Sequence, residues 1–288
     1  GVAVLVPGLP EWRELSVCPR VTLPTVRASL AYLNGREDVK PDQCGVIGFS
    51  FGAAGAVIAA SDEELADKIR GAVLFGGYCC LERTLACMLT GEHEWGEHQY
   101  RLEPDPYGRW VVASNYLTRV PGYEDAEDVA NAVGRLAGEA SGRRVSAWEP
   151  YHDSMIAALR DTVAPTRQPL YDVLATPTTE ERPDSEACRE FAKALSDACV
   201  AAEPQLDPAR SLHRVRVPTQ VIHGRGDRLV PFTEGMRLMK ELPASSRSGV
   251  TITRMFNHSK DHVPSSPVHH AYEAGILFHA LHRLVNTV

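Results

Sequence analysis

Short apolar runs alternate with stretches of helical periodicity at the start of the chain. The runs Val2–Val6, Val46–Ile47 and Gly71–Phe75 contain only apolar or small residues. Uninterrupted runs of this kind are typical of strands that are buried on both faces of a parallel sheet. Between them, Leu23–Leu33 and Ala53–Ala60 carry apolar residues at helical spacing. We therefore predict a strand–helix–strand–helix–strand order, with a parallel sheet covered by helices.

The same alternation returns near the end of the chain. Pro218–His223 and Val250–Phe256 are rich in residues that favour strands. Phe232–Leu242 and Ala271–Val285 carry helical patterns, and the second of these is amphipathic. The predicted fold class is therefore α/β, with a mostly parallel sheet flanked by helices.

The middle of the chain has a different rhythm. Residues 78–216 are helical in pattern, are interrupted by Pro and Gly, and contain three of the four tryptophans. Asp125–Ala140 and Glu186–Ala202 are the clearest helices. We predict that 78–216 form an inserted, mainly helical domain whose aromatic residues mostly pack its own core. The α/β core then comprises residues 1–77 and 217–288.

The sequence from Gly48 to Gly52, G-F-S-F-G, joins a predicted strand to a predicted helix. In this context the pattern G-x-S-x-G is typical of a sharp turn that exposes the serine hydroxyl, here that of Ser50. Small residues two positions to either side give the strained turn room. The amide of Phe51 and the helix dipole could then stabilise an oxyanion. The alternative interpretation is a glycine-rich turn whose serine only caps the helix.

A serine nucleophile needs a base, and the base needs a carboxylate to orient it. Asp227 follows one late strand, and His258 and His262 follow the last one. Because the carboxyl ends of parallel strands meet at one edge, we expect these groups to converge with Ser50. Asp227 could instead only cap its loop. His258 is the preferred base because it lies two residues past the predicted strand, and His262 is the alternative base.

These motifs together resemble the α/β-hydrolase fold family. The resemblance rests on G-F-S-F-G, on H-G-R-G-D-R-L-V-P, on the histidine loop after V-T-I-T-R-M-F, and on V-L-V-P-G-L near the start. It implies that Ser50 is the nucleophile, Asp227 the acid and His258 the base. It also implies that the amides of Leu9 and Phe51 form the oxyanion hole, and that residues 78–216 occupy the position of a cap domain.

The chain departs from the family pattern in two places. Pro7 stands where the family usually has His before the oxyanion glycine, which leaves the amide of Leu9 intact. The two strands that usually come first in the sheet have no counterpart in the sequence.

Composition narrows the classes of partner. The net charge of −7 and the absence of a Lys/Arg-rich run argue against a nucleic-acid partner. No apolar stretch reaches the length of a membrane span. Seven cysteines, an odd number without metal-type spacing, indicate reduced thiols in a cytoplasmic protein. His279 and His282 are spaced like metal ligands but lack a second ligand pair, so we expect no metal and no cofactor.

The leading interpretation is a serine hydrolase that cleaves a carboxylic ester through an acyl-enzyme. The expected partner is a small-molecule acyl substrate, and Phe49, Phe51 and the aromatic insert suggest an apolar acyl part. An amide or peptide hydrolase, an acyltransferase and a non-catalytic binding protein remain open, as does a homo-oligomer. His223 is expected to be structural, and His152 and Asp153 are expected at the surface.

Overall fold

The computed structural model describes residues 2–143, 145–180, 185–255 and 267–287. The chain divides into two compact units. The first, called here the sheet unit, comprises Gly1–Gly8, Pro19–Cys80 and Gln205–Val288. The second, called the helical unit, comprises Leu9–Cys18 and Leu81–Pro204.

The described residues form strands and helices in the following order along the chain. The strands are β1 (Gly45–Phe49), β2 (Gly71–Phe75), β3 (Glu92–Trp95), β4 (His98–Arg101), β5 (Thr219–Gly224) and β6 (Arg247–Thr253). The α-helices are α1 (Pro10–Arg13), α2 (Thr22–Asn34), α3 (Phe51–Ser61), α4 (Glu63–Ala66), α5 (Leu81–Thr90), α6 (Tyr107–Tyr116), α7 (Glu127–Arg143), α8 (Asp153–Arg160), α9 (Gln168–Leu174), α10 (Ser185–Ala202), α11 (Ala209–Leu212), α12 (Phe232–Glu241) and α13 (Pro267–Thr287). Over the described ranges, none of these helices is both long enough and apolar enough to cross a bilayer.

Within the described residues, the sheet unit is built on four parallel strands in the order β1-β2-β5-β6. One face of the sheet buries Leu74 in a cluster with Val57 of α3 and Leu238 of α12. The opposite face buries Phe75 in a cluster with Ala280 of α13. Burying a side chain of this size stabilises the fold by about 1.5–3 kcal/mol, so helices on both faces are part of what holds the sheet together. The predicted α/β fold with a parallel sheet flanked by helices is confirmed.

Most of the predicted elements of the sheet unit are present. Strands β2 and β5 and helices α2, α3, α12 and α13 lie at the predicted positions to within a few residues. Strand β6 begins at Arg247 and ends at Thr253, whereas the sequence predicted Val250–Phe256. The shift matters for the candidate base, which was placed by its distance from the end of this strand.

The prediction of a first strand at Val2–Val6 is wrong. The structure assigns no strand there, and the side chains of Val2, Val4 and Val6 are 62%, 79% and 81% exposed. An apolar run makes a segment fit to be a strand, but a strand also needs a neighbour with which to pair. The outer edge of β1 is not paired to this segment, and Phe49 on that strand is 57% exposed.

Two aromatic residues, Trp110 and Tyr171, are buried in the core of the helical unit. The buried indole of Trp110 donates to the carbonyl oxygen of Leu174 at 2.9 Å. The buried hydroxyl of Tyr171 donates to the carbonyl oxygen of Ile156, also at 2.9 Å. Each ring therefore brings apolar area into the core while its polar atom is satisfied by a helix carbonyl. The antiparallel hairpin β3–β4 lies in a stretch that the sequence predicted to be helical.

His152 is buried, which contradicts its predicted place at the surface. Its side chain packs edge-on against Trp110, with ring centroids 6.1 Å apart, and only 1% of the residue is exposed. Among the described residues, neither of its ring nitrogens has a hydrogen-bond partner. The prediction failed because a polar residue in a polar stretch carries no local sign of the distant aromatic residue that covers it.

Candidate active site

The turn between β1 and α3 holds Ser50 in an unusual backbone conformation. Ser50 has φ 54° and ψ −125°. A residue with a Cβ atom is strained there by on the order of 1–3 kcal/mol. Its amide donates to the carbonyl oxygen of Phe75 at 2.7 Å, and its carbonyl accepts from the amide of Ala53 at 2.9 Å. Strand β2 and the first turn of α3 therefore hold the strained residue from both sides.

The hydroxyl of Ser50 is not used by the helix that follows it. Ser50 occupies the N-cap position of α3, yet its side chain makes no cap hydrogen bond. The residue is half-buried. The structure therefore does not support the alternative interpretation of a serine that only caps the helix.

The two glycines that flank the serine differ in how much room they need. A Cβ atom added to Gly48 would lie 2.2 Å from the carbonyl oxygen of Gly52 and 2.6 Å from the Cα atom of Ala53. A Cβ atom added to Gly52 would meet nothing within 4 Å. The pattern G-x-S-x-G predicts small residues at both positions for the same reason. The structure shows that steric need only at Gly48.

The two predicted oxyanion donors occupy different units of the chain. Phe51 is the first residue of α3 in the sheet unit. Amides in the first turn of a helix have no acceptor within the helix, and the helix dipole favours negative charge near them. Leu9 precedes α1, has an extended backbone with φ −106° and ψ 127°, and belongs to the helical unit. Their pairing into one oxyanion hole stays a prediction.

The candidate acid, Asp227, lies in the loop after β5 and is 1% exposed. Its Oδ1 atom accepts hydrogen bonds from the amides of Leu229 and Val230, each at 3.0 Å. Its Oδ2 atom lies 3.7 Å from Nε2 of His223. Asp227 therefore does cap its own loop, as the alternative interpretation held. It does so with one oxygen, and the cap fixes the carboxylate in one orientation.

His223 supports the loop after β5 that contains Asp227, Leu229 and Val230, called here the acid loop, from within the sheet. It lies on β5, is fully buried, and its Nε2 atom is 2.9 Å from the carbonyl oxygen of Val230. That distance makes His223 the donor, because a carbonyl oxygen can only accept. A Cβ atom on Gly235 of α12 would lie 2.7 Å from Nδ1 of the same ring, so only glycine fits there. These contacts agree with the structural role that the sequence predicted for His223.

Backbone hydrogen bonds join the carboxyl ends of neighbouring strands at one edge of the sheet. Beyond β2, the amide of Gly76 donates to the carbonyl oxygen of Ile222 at 2.8 Å. Beyond β5, the amide of Arg225 donates to the carbonyl oxygen of Thr253 at 2.8 Å. Ser50 follows β1 and Asp227 follows β5, with β2 between them. Because neighbouring strands lie about 4.8 Å apart, the two backbones leave the sheet roughly 10 Å from one another.

Both candidate bases, His258 and His262, lie outside the described residues. Strand β6 ends at Thr253, so His258 follows it by five residues instead of the expected two. A buried carboxylate holds this strand end: Oε2 of Glu273 accepts from Oγ1 of Thr253 at 2.8 Å and from the amide of Arg254 at 3.0 Å. The distance from the strand end therefore favours His258 over His262 less than the sequence predicted. The choice between the two histidines stays a prediction.

Sequence reasoning missed Glu234 in the first turn of α12. The residue is 1% exposed, and its carboxylate binds the backbone amides of Cys79 and Cys80. The available signal was an acidic residue shortly after Pro231, where a helix begins. That position suggested only a favourable interaction with the helix dipole.

The described residues offer no evident metal site. Among residues 2–143, 145–180, 185–255 and 267–287, no three His, Cys, Asp or Glu side chains are grouped so as to hold an ion.

Comparisons with known proteins find similarity in structure alone. No protein-family model and no curated protein matches the sequence. A monoacylglycerol lipase from Paleococcus ferrophilus matches 91% of this chain over 74% of its own, at 12% identity and a TM-score of 0.38. A putative lipase from Acinetobacter baumannii AYE matches 99% of this chain over 71% of its own, at 11% identity and a TM-score of 0.40. An acetylester hydrolase from Corynebacterium glutamicum matches 88% of this chain over 66% of its own, at 13% identity and a TM-score of 0.38.

Similarities this remote do not define an activity, and the assignment of the fold rests on the chain's own features. These are a parallel sheet between helices, a strained serine at a strand–helix turn, and a capped aspartate after a later strand of the same sheet. At the level of the fold, the resemblance of this chain to the α/β-hydrolase family is confirmed.

Proposed function

We propose that the protein is a serine hydrolase that cleaves a carboxylic ester, with Ser50 as nucleophile and Asp227 as acid. One observation carries the proposal. Ser50 is held at φ 54° with its hydroxyl outside the helix cap, two strands from a buried aspartate at the same sheet edge. Strain of this kind persists only where surrounding structure holds it, and it is concentrated at functional sites.

The spacing at the sheet edge suits a triad. A separation of roughly 10 Å between the two backbones leaves room for an imidazole that bonds Ser50 with one nitrogen and Asp227 with the other. The loop bonds from Leu229 and Val230 hold the carboxylate still. Preorganisation of this kind is what an orienting acid requires. We propose His258 as the base and keep His262 as the alternative.

The proposed reaction has two steps. Ser50 attacks the ester carbonyl while the histidine takes the hydroxyl proton, and the histidine then protonates the departing alcohol. Water, activated by the same histidine, hydrolyses the acyl-enzyme and restores Ser50. The amide of Phe51 at the start of α3 stabilises the oxyanion, together with that of Leu9. This chemistry requires no cofactor.

The proposal extends to the insert and to the substrate. Residues 78–216 are proposed to act as a cap that selects the substrate, and the compact helical unit at Leu81–Pro204 supports an independent domain in that stretch. The proposed substrate is a small ester. The proposal that the acyl part is apolar depends on Phe51 and not on Phe49, because the ring of Phe49 already stacks on that of Phe75, with ring centroids 4.8 Å apart.

The test is Ser50→Ala, assayed with p-nitrophenyl esters, lactones and aminoacyl p-nitroanilides, together with fluorophosphonate labelling. We expect ester turnover to fall by on the order of 10⁴–10⁶ with unchanged circular dichroism, because only the reacting hydroxyl is lost. Ser61→Ala is the matched control, since Ser61 ends the same helix and its hydroxyl donates to the carbonyl oxygen of Ile58.

The same panel separates the alternatives. Faster cleavage of anilides than of esters would indicate an amide or peptide hydrolase, and product formation only with an added alcohol would indicate an acyltransferase. A wild-type protein that neither turns over esters nor labels with the fluorophosphonate would refute the hydrolase and favour a binding protein.

A further inference from the structure

Glu234 connects the helix after the acid loop to the loop between nucleophile and acid. It lies in the first turn of α12, seven residues after Asp227. Its Oε2 atom accepts hydrogen bonds from the amides of Cys79 at 3.0 Å and Cys80 at 2.8 Å. Both amides belong to residues 76–80, called here the β2 loop, which follows the strand between those of Ser50 and Asp227.

The carboxylate of Glu234 is shielded from solvent. Glu234 is 1% exposed, and the guanidinium of Arg237 lies at the limit of ion-pair distance, with Nε 4.0 Å from Oε1. Amide hydrogen bonds to a buried carboxylate are strong, and removing the acceptor leaves buried donors unsatisfied. The two bonds therefore constrain the β2 loop strongly.

The β2 loop in turn lies against the turn between β1 and α3 that holds Ser50, called here the nucleophile turn. A Cβ atom on Gly77 would lie 2.4 Å from the Cβ atom of Ala53, so the loop backbone contacts the first turn of α3 without space between them. The amide of Ala53 donates to the carbonyl oxygen of Ser50. A shift of the β2 loop would therefore reach Ser50 through a single intervening residue.

The same loop is also held from other sides. The carbonyl oxygen of Cys79 accepts from the amide of Ala209 at 2.9 Å, and the hydroxyl of Tyr78 donates to the carbonyl oxygen of Leu206 at 2.7 Å. These bonds anchor the loop to residues 205–212, which carry none of the proposed catalytic groups. On the side of the acid, the β2 loop is held by the bond from the amide of Gly76 to the carbonyl oxygen of Ile222 on β5, and by Glu234 of α12, the helix that begins directly after Pro231.

We propose that Glu234 is a positioning residue that sets the distance between Ser50 and Asp227. It acts through the β2 loop, with its carboxylate as the acceptor for the amides of Cys79 and Cys80. This inference rests on the proposed hydrolase function, since the positioned groups are the nucleophile and the acid of that reaction.

The experiment compares wild type with Glu234→Met, which removes the acceptor at similar volume, and Glu234→Gln, which keeps a carbonyl acceptor without the charge. Glu241→Gln is the control, an exposed carboxylate in the last turn of the same helix. Two quantities are measured: the second-order rate of fluorophosphonate labelling at Ser50, and amide hydrogen exchange of the peptide that contains the β2 loop.

We expect Glu234→Met to label about 10- to 100-fold more slowly at temperatures where it is fully folded, because displacements of an ångström in a reacting group have effects of this size. Its β2 loop should exchange at least about 10-fold faster, because two amides lose their acceptor. Glu234→Gln should recover most of both quantities, and Glu241→Gln should equal wild type in both.

If Glu234→Met is labelled at the wild-type rate although its β2 loop exchanges faster, the two hydrogen bonds hold the loop without positioning Ser50. That result would overturn the proposal. Unchanged exchange would overturn it as well. If Glu234→Met does not fold, wild-type exchange decides, since rapid exchange of the Cys79 and Cys80 amides contradicts the constraint. A wild-type protein that does not label refutes the hydrolase itself, whereas a reactive wild type with an unaffected variant refutes only the role of Glu234.

Discussion

Replacing Gly48 by Ala tests whether the nucleophile turn needs the close backbone contact that the structure shows. The added Cβ atom would lie 2.2 Å from the carbonyl oxygen of Gly52, 2.6 Å from its carbonyl carbon and 2.6 Å from the Cα atom of Ala53. All three are backbone atoms, so no change of side-chain rotamer relieves the clash. Strand β1 and helix α3 would have to move apart.

The expected cost follows from that geometry. Overpacking a well-packed site costs about 1–3 kcal/mol, and a rigid backbone obstacle places Gly48→Ala at or above the upper end of this range. For a domain of 150–250 residues, each kcal/mol shifts the melting temperature by about 2–4 °C. We therefore expect Gly48→Ala to melt roughly 6–12 °C below wild type, measured by calorimetry. Labelling at Ser50 should fall as well, because the turn that holds the serine is distorted.

Gly52→Ala is the matched comparison for this prediction. Its added Cβ atom meets nothing within 4 Å, and the position lies inside α3. Alanine is favoured over glycine in a helix by up to about 1 kcal/mol, so we expect the melting temperature to stay the same or to rise slightly. If Gly48→Ala melts within about 1 °C of wild type, or if Gly52→Ala is the more destabilised of the two, the steric argument is refuted.

The remaining predictions concern the base and the response to alkali. His258→Ala should lower ester turnover by several orders of magnitude and His262→Ala by much less, and the reverse order would move the base to His262. Burial raises the pKa of the Cys199 thiol to about 12. Its neutral form is therefore favoured in the folded state, and stability present below pH 9 is lost as the pH rises toward 12. At about 1.36 kcal/mol per pH unit, wild type should lose roughly 2 kcal/mol more than Cys199→Ala between pH 9 and 10.5 in reducing buffer, and equal losses in urea titrations would contradict this.

Local patterns predicted the elements whose character lies in their own residues. An apolar run flanked by turns determined β2, and helical spacing determined α2, α10 and α13. The pattern G-x-S-x-G predicted the strained turn at Ser50, because glycine spacing and the strand-to-helix change are both local features. The acid loop was visible for the same reason, since Asp227 follows its strand closely and caps its own loop.

Tertiary structure decided whatever depends on a distant partner. Val2–Val6 has the composition of a strand but pairs with no strand in the described part of the chain, and His152 has the polarity of a surface residue but lies against Trp110. Glu234 binds amides that are more than 150 residues away in sequence. A buried carboxylate and an exposed one look the same in a sequence, because burial depends on the side chains that fold over a residue. The sequence therefore determined which segments could be strands, helices and a nucleophile turn, and long-range packing determined which were paired, buried and braced.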